Sequence, residues 1–166
     1  ESKARGEAAV LEVLGPERAC VLRTSWLYGP VGKNFCLTML KLHAIKAAAG
    51  EALNVVADQV GCPTHTAGLA AACWQVLARD IGGIQQWSDA GVASWYDFAV
   101  AIGEEAVAIG ILATAAKVNP ISTAEYHTPA QRPSYSLMDC SASRKALGLE
   151  PLHWRQGLRQ VLASIA

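Results

Sequence analysis

Charge is what this sequence has least of. Only 17% of its 166 residues are Asp, Glu, Lys or Arg, against about 25% in an ordinary soluble domain. Fourteen basic residues balance fourteen acidic ones, so the net charge is zero. A chain with no basic excess has no stripe to neutralise nucleic-acid phosphates and no polybasic patch for an anionic membrane. No apolar run reaches the ~18 residues that a bilayer span needs. The longest, Ala106 to Ala116, is too short and carries Gly110. The N-terminus, with Glu1 and Glu7, lacks the basic start of a signal peptide. Cys20, Cys36, Cys62, Cys73 and Cys140 form no C-x-x-C pair and the four His are scattered, which leaves no zinc-ligand spacing. Their odd number and mostly apolar surroundings predict reduced, buried thiols of a cytoplasmic protein. The chain has no internal repeat and no low-complexity tract.

What is abundant is apolar surface, 52% of the residues. That excess fits an Ala-rich core, a face built to cover another domain or subunit, or both. Its pattern alternates. Ser2 to Leu14 reads as a helix that stops at Gly15-Pro16, and Ala19 to Thr24 as a short buried strand. Trp26 to Gly29 reads as a loop. Asn34 is placed to cap a helix in which Phe35, Met39, Leu42 and Ile45 recur on one side as far as Gly50. A strand over Leu53 to Ala57 and a loop over Asp58 to Pro63 follow. The next helix opens at Thr64 or Thr66, with Leu69, Cys73, Val76 and Leu77 on a common face. Ile84 to Ser88 fits a strand. Ser94-Trp95-Tyr96-Asp97 has the spacing of a capping box, ahead of Phe98, Ile102 and Ile109 on one helix side. Val118 to Ile121 fits a short strand, and Thr123 to Ser136 a long functional loop. Ser141 is placed to cap a helix ending at Gly148, and Trp154, Leu158, Val161, Leu162 and Ile165 mark a last amphipathic helix. Strands alternating with helices predict an α/β class.

Five stretches carry groups suited to a ligand. They are Ser2-Lys3-Ala4-Arg5-Gly6-Glu7, Arg23-Thr24-Ser25-Trp26-Leu27-Tyr28-Gly29, Gly32-Lys33-Asn34-Phe35, Asp58-Gln59-Val60-Gly61-Cys62-Pro63-Thr64 and Arg132-Pro133-Ser134-Tyr135-Ser136-Leu137-Met138-Asp139. Each has a plain structural explanation. Lys3 could be an exposed helix lysine, Trp26 a core residue, Asn34 a cap, the 58–64 segment a turn, and Arg132 half of a surface ion pair. The chemistry is also sound: a guanidinium such as Arg132 grips a diphosphate with two parallel hydrogen bonds, as a lysine cannot.

In their common order these stretches resemble the C-terminal half of the dTDP-4-dehydrorhamnose reductase family, extended short-chain dehydrogenase/reductases. The match runs through Ser94-Trp95-Tyr96-Asp97-Phe98-Ala99 and the stretch from Val118-x-Pro120-Ile121 to Tyr126, as far as Trp154-x-x-Gly157-Leu158. The resemblance implies the C-terminal part of a Rossmann-like parallel sheet over residues 1–60, interleaved with a small substrate-binding α/β lobe over 61–166. It implies NADPH or NADH as reductant for the 4-keto group of dTDP-4-dehydro-L-rhamnose, giving dTDP-L-rhamnose. It implies Lys3 as the catalytic lysine of a Tyr-x-x-x-Lys pair, whose tyrosine would fall two positions upstream of Glu1. Lys3, Thr24 and Ser25 would meet the cofactor, and Trp26, Asn34, Phe35, Gln59, Pro63 and Arg132 the substrate. A homodimer is allowed, as is Mg2+, for which no ligands can be mapped. The chain also has no G-x-x-G-x-x-G fingerprint, the turn that cradles a dinucleotide pyrophosphate, so these residues alone are expected neither to bind NADPH tightly nor to turn over. Other readings are a non-catalytic relative, such as the regulatory subunit of methionine adenosyltransferase, or another nucleotide-sugar reductase or epimerase. Retention of Lys3, Trp26 and Arg132 favours the enzyme.

Overall fold

The computed structural model describes residues 2–126, 128, 130 and 132–166. His127, Pro129 and Gln131, which fall in the long loop expected over 123–136, lie outside them. The α/β alternation is present. In chain order the elements are α1 (Ser2–Leu14), β1 (Cys20–Arg23), β2 (Leu27–Tyr28), α2 (Phe35–Ala49), β3 (Leu53–Val56), β4 (Val60–Gly61) and β5 (Thr64–His65). There follow α3 (Thr66–Ala78), β6 (Gly83–Gln86), β7 (Ala93–Ser94), α4 (Trp95–Ala108), β8 (Val118–Ile121), α5 (Ser141–Leu147) and α6 (Trp154–Ala163).

Two parallel pairs form the frame. β1 lies beside β6 with Cys20 opposite Gly83, and β3 beside β8 with Leu53 opposite Val118. Both pairs run across residue 60, so the regions before and after it interleave. Two shorter pairs were invisible in the sequence: β2 parallel to β5, and β4 antiparallel to β7. Two-residue strands have no periodicity to read, and the sequence reading placed β2 and β4 in loops.

The main core lies between α2, α4, α6 and β3. Fully buried Phe98 meets Tyr28 edge-on at 5.0 Å, Phe35 at 5.5 Å and Trp154 edge-on at 6.0 Å. Tyr28 donates its hydroxyl to the Trp154 carbonyl at 3.2 Å, which satisfies a buried polar group. The thiols of Cys36 and Cys62 are pushed up to about 12 by burial, so both behave as inert small apolar groups. Cys140 is buried too, but Cys73 is exposed, against expectation.

Three further expectations are corrected. On α3 the covered side is Leu69, Ala72 and Val76, packed with Trp87 and Leu147, while Leu77 is 71% exposed. Ile45 and Ile109 are also on the outside, and Ile109 is the C-cap residue just past α4. Ser141 is the first residue of α5 rather than its cap; its backbone N–H bonds back to Asp139. By contrast, the capping box at α4 is complete, with Ser94 and Asp97 bonding each other's backbone N–H.

α4 and α6 are clamped by charge. Glu105, nearly buried, accepts from Arg155 Nε at 2.6 Å and from Arg159 Nε and Nη2 at 2.8 and 2.9 Å. Arg155 also pairs with Glu104. The Arg159 hydrogen bonds first, and those of Arg155 with them, hold the Glu105 carboxyl below its ordinary value of 4.5. A carboxylate depressed in the folded state stabilises fully above its unfolded pKa, and that stabilisation is lost as pH falls through the folded one. Glu105→Gln is therefore expected to cost about 1–2 kcal/mol at neutral pH. Urea unfolding should show that the gap between the two proteins narrows as pH drops below 4.5.

Candidate functional site

A cleft of about 400 Å3 opens where α2, β3 and the start of α4 converge. Its floor is apolar, from Met39, Val55 and Val56, and Phe35 and Trp95 form aromatic walls. Gln59, Tyr126, Thr128 and Arg132 stand at the rim. Flat apolar walls with a few polar groups suit a ring-bearing, partly charged ligand.

The rim is held by two moorings. At one end, the Thr123 backbone N–H and hydroxyl both donate to Asp58, at 2.9 and 2.6 Å. These bonds keep the Asp58 carboxyl below its usual range. The Gln59 amide donates to the Thr123 hydroxyl at 3.1 Å, which fixes the glutamine beside the cleft. At the other end, Val60 N–H donates to Ser134 O and Ser136 N–H to Val60 O, each at 2.8 Å. Arg132 sits between these moorings. It is exposed, and among the described residues it has no ion-pair partner, so its guanidinium is available for an anion.

Trp26 occupies an unusual backbone state, with φ +47°, which bulky residues rarely adopt. Its indole lies flat on Trp95, ring centres 3.6 Å apart and planes 6° from parallel. Trp95 in turn meets Phe35 at 4.7 Å. Trp26 thus backs the cleft wall rather than lining it.

The cleft brings together Phe35, Gln59 and Arg132 of the residues expected from sequence, with Trp26 one layer behind. Asn34 caps α2: its oxygen accepts from Leu37 N–H at 3.1 Å and its amide donates to Gly29 O at 2.9 Å and Val31 O at 3.3 Å. Pro63 is buried and shapes the chain between β4 and β5. Lys3, Thr24 and Ser25 are not part of this lining. Lys3 is exposed on α1, Thr24 is exposed past β1, and Ser25 donates its hydroxyl to Cys62 O at 3.1 Å. The α1 helix is tied to β1 by Arg23 and Glu7, whose atoms approach to 2.6 Å. Among the lining residues that sequence reasoning did not assign to a site, Trp95, Tyr126 and Thr128 matter most, and Trp95 forms a wall. The sequence places Trp95 in a capping box and in the family-like 94–99 stretch without giving it a role at a site; its signal is an aromatic at a helix start, one residue after the box serine.

A family model for the RmlD substrate binding domain matches residues 1–166. The chain belongs to the RmlD substrate-binding domain family. A curated relative from Aggregatibacter actinomycetemcomitans, named dTDP-4-dehydrorhamnose reductase, is 40% identical over 169 residues, covering 98% of this chain and 55% of its own length. The spore coat polysaccharide biosynthesis protein SpsK of Bacillus subtilis is also 40% identical, over 98% of this chain and 52% of its own. Among solved structures, dTDP-4-dehydrorhamnose reductase from Bacillus anthracis, in complex with NADP, superposes with a TM-score of 0.85. It is 33% identical over 99% of this chain and 54% of its own length. This RmlD domain therefore spans about half the length of the curated relatives it matches. No helix among its described residues is long and apolar enough to cross a membrane. No cluster of three or more His, Cys, Asp or Glu suited to a metal occurs among the described residues either, so Mg2+ has no visible ligand set here.

Proposed function

We propose that this RmlD domain is the sugar-nucleotide-binding part of a cytoplasmic reductase that converts dTDP-4-dehydro-L-rhamnose to dTDP-L-rhamnose. The observation that carries the reading is the cleft: a pair of aromatic walls with an exposed arginine, on a moored arm, at the rim. Arg132 would take the diphosphate in a bidentate grip. Phe35 and Trp95 would hold the flat, C–H-rich side of a ring, and Gln59 would fix its orientation. Residues 1–60 would contribute the Rossmann-like strands and 61–166 mainly the substrate lobe, interleaved through the β1–β6 and β3–β8 pairs.

NADPH, when bound, supplies the hydride in such a reductase. The residues present fit only one end of it. Thr24 and Ser25 follow a parallel strand, where open α/β sheets place ligands, and Lys3 would lower the pKa of a tyrosine phenol placed one helical turn before it, so that the phenol could pass a proton to a ketone. No glycine-rich turn is available here for the pyrophosphate. The apolar side chains left exposed on α1 and α3, Val13 at 80% and Trp74 at 70% among them, mark the surface that a nucleotide-binding partner segment would cover.

Isothermal titration tests both halves of the reading. The chain is expected to bind dTDP-L-rhamnose in preference to a UDP-sugar. Arg132→Ala should cost about 1.5–3 kcal/mol, roughly tenfold to a hundredfold in affinity. NADPH should show no tight binding to this chain alone. Failure to bind the dTDP-sugar would sink the substrate reading, and micromolar NADPH binding would sink the cofactor one.

A further inference from the structure

We propose that Gly61 is a positioning residue of the cleft, acting through Trp26 on the aromatic wall that Trp95 presents to the ligand; this rests on the substrate reading above.

Gly61 belongs to β4, and it does not line the cleft. Its importance is in what lies against it. A Cβ built there would stand 2.7 Å from Trp26 Cε2, 2.9 Å from Trp26 Cζ2 and 2.7 Å from Ser136 Oγ. These two neighbours differ in their ability to yield. The Ser136 hydroxyl can rotate away at the loss of its own bond to Val60 O at 3.1 Å, and the serine backbone N–H still holds that oxygen at 2.8 Å, so the Arg132 arm keeps its mooring. The indole has no such freedom. One face lies on Trp95 at 3.6 Å, and its own backbone is fixed because Trp26 O accepts from Thr64 N–H at 3.1 Å. The positive φ of Trp26 removes a further route of escape, since relaxing it would break the β2–β5 approach that follows immediately. A side chain at position 61 must therefore push the indole off its stacked position. Trp95 then loses the flat support behind it and can leave the geometry it holds against Phe35.

The consequence is a division of labour across β4. Val60 carries the arm that brings Arg132, and the next residue, Gly61, leaves room for the indole that backs the ring wall. The phosphate grip and the ring grip are thereby set by adjacent residues on one short strand.

The test compares the chain with Gly61→Ala, Trp26→Leu and the double variant. Stacked indoles shift each other's ring-proton NMR resonances, and Trp26→Leu identifies which shifts come from the stack. Gly61→Ala is expected to abolish those shifts and to weaken dTDP-L-rhamnose binding about tenfold or more, as misplacement of a supporting group does. In the Trp26→Leu background the same alanine has no ring to displace. It should then change affinity by less than about twofold, a strongly non-additive cycle. Retained stacking shifts in Gly61→Ala would overturn the proposal, as would lost shifts with unchanged affinity or simple additivity of the two changes. If Gly61→Ala alone does not fold, restoration of folding in the double variant supports the same clash, and a double variant that also fails to fold counts against it. If the unaltered chain binds no dTDP-sugar, the substrate reading fails, while the stacking shifts still decide whether Gly61 sets Trp26.

Discussion

Phe98→Ala is expected to destabilise this RmlD domain by about 3–5 kcal/mol, the range for removing a large aromatic from a packed core. Phe98 has no exposed surface, and it is where three parts of the chain meet. Tyr28 of β2, Phe35 at the start of α2 and Trp154 at the start of α6 all contact its ring. None of them can follow an inward collapse freely. Tyr28 is held by its hydroxyl to Trp154 O, and Phe35 also supports Trp95. The cavity should therefore persist, which puts the loss towards the upper part of that range. Urea unfolding followed by far-ultraviolet dichroism measures it. A loss under about 1 kcal/mol would mean that the three aromatics close the gap, contrary to the constraints just described.

Asp89→Ala should cost about as much for a different reason. Asp89 is 1% exposed, and its carboxylate accepts the His65 backbone N–H at 3.1 Å and contacts His65 Nδ1 at 2.9 Å with either oxygen. Two helices close over this pair. A Cβ on Gly157 of α6 would stand 2.9 Å from Asp89 Oδ2 and 3.1 Å from His65 Nδ1, so only glycine lets α6 come this near. Little space remains for water to take over the acceptor's task. Removing the carboxylate strands two buried groups, the His65 backbone donor and its imidazole, and each buried group left unsatisfied costs about 1–3 kcal/mol. Asp89→Asn keeps an acceptor for the His65 N–H and should recover part of that loss in the same urea measurement. Equal destabilisation by the alanine and asparagine changes would show that the carboxylate's charge, not the hydrogen bond, is what matters.

The longer elements were legible because burial leaves a repeating trace. α6 shows it best: Trp154, Leu158, Val161 and Leu162 recur on one side and all four are buried. The start of α4 was legible for a chemical reason, since Ser94 and Asp97 satisfy the first free N–H groups of the helix. What could not be read is whatever depends on contacts between distant short segments. β4 and β7 are two residues each, and β2 and β5 likewise, so their pairing leaves no pattern within either strand. α3 misled for the opposite reason. Its composition is apolar nearly all round, so Cys73 and Leu77 looked as inward-facing as Leu69 and Val76. The cleft was half legible. Phe35, Gln59 and Arg132 stand out by type and neighbours, whereas Trp95 enters only because Trp26 and Phe35, remote in sequence, pack on it.

The segment from Thr123 to Ser136 is fastened at both ends to one stretch of three residues, Thr123 to Asp58 and Ser134 to Val60. A loop closed on such a narrow base can lengthen at little cost, about 0.6 kcal/mol for each doubling, because its ends do not move. Insertions or deletions between those knots would alter what overhangs the cleft while leaving β3, β4 and the core as they are. The molecule thus has an exchangeable reading head on a permanent mount, and a new ligand preference could be acquired there without refolding anything beneath it.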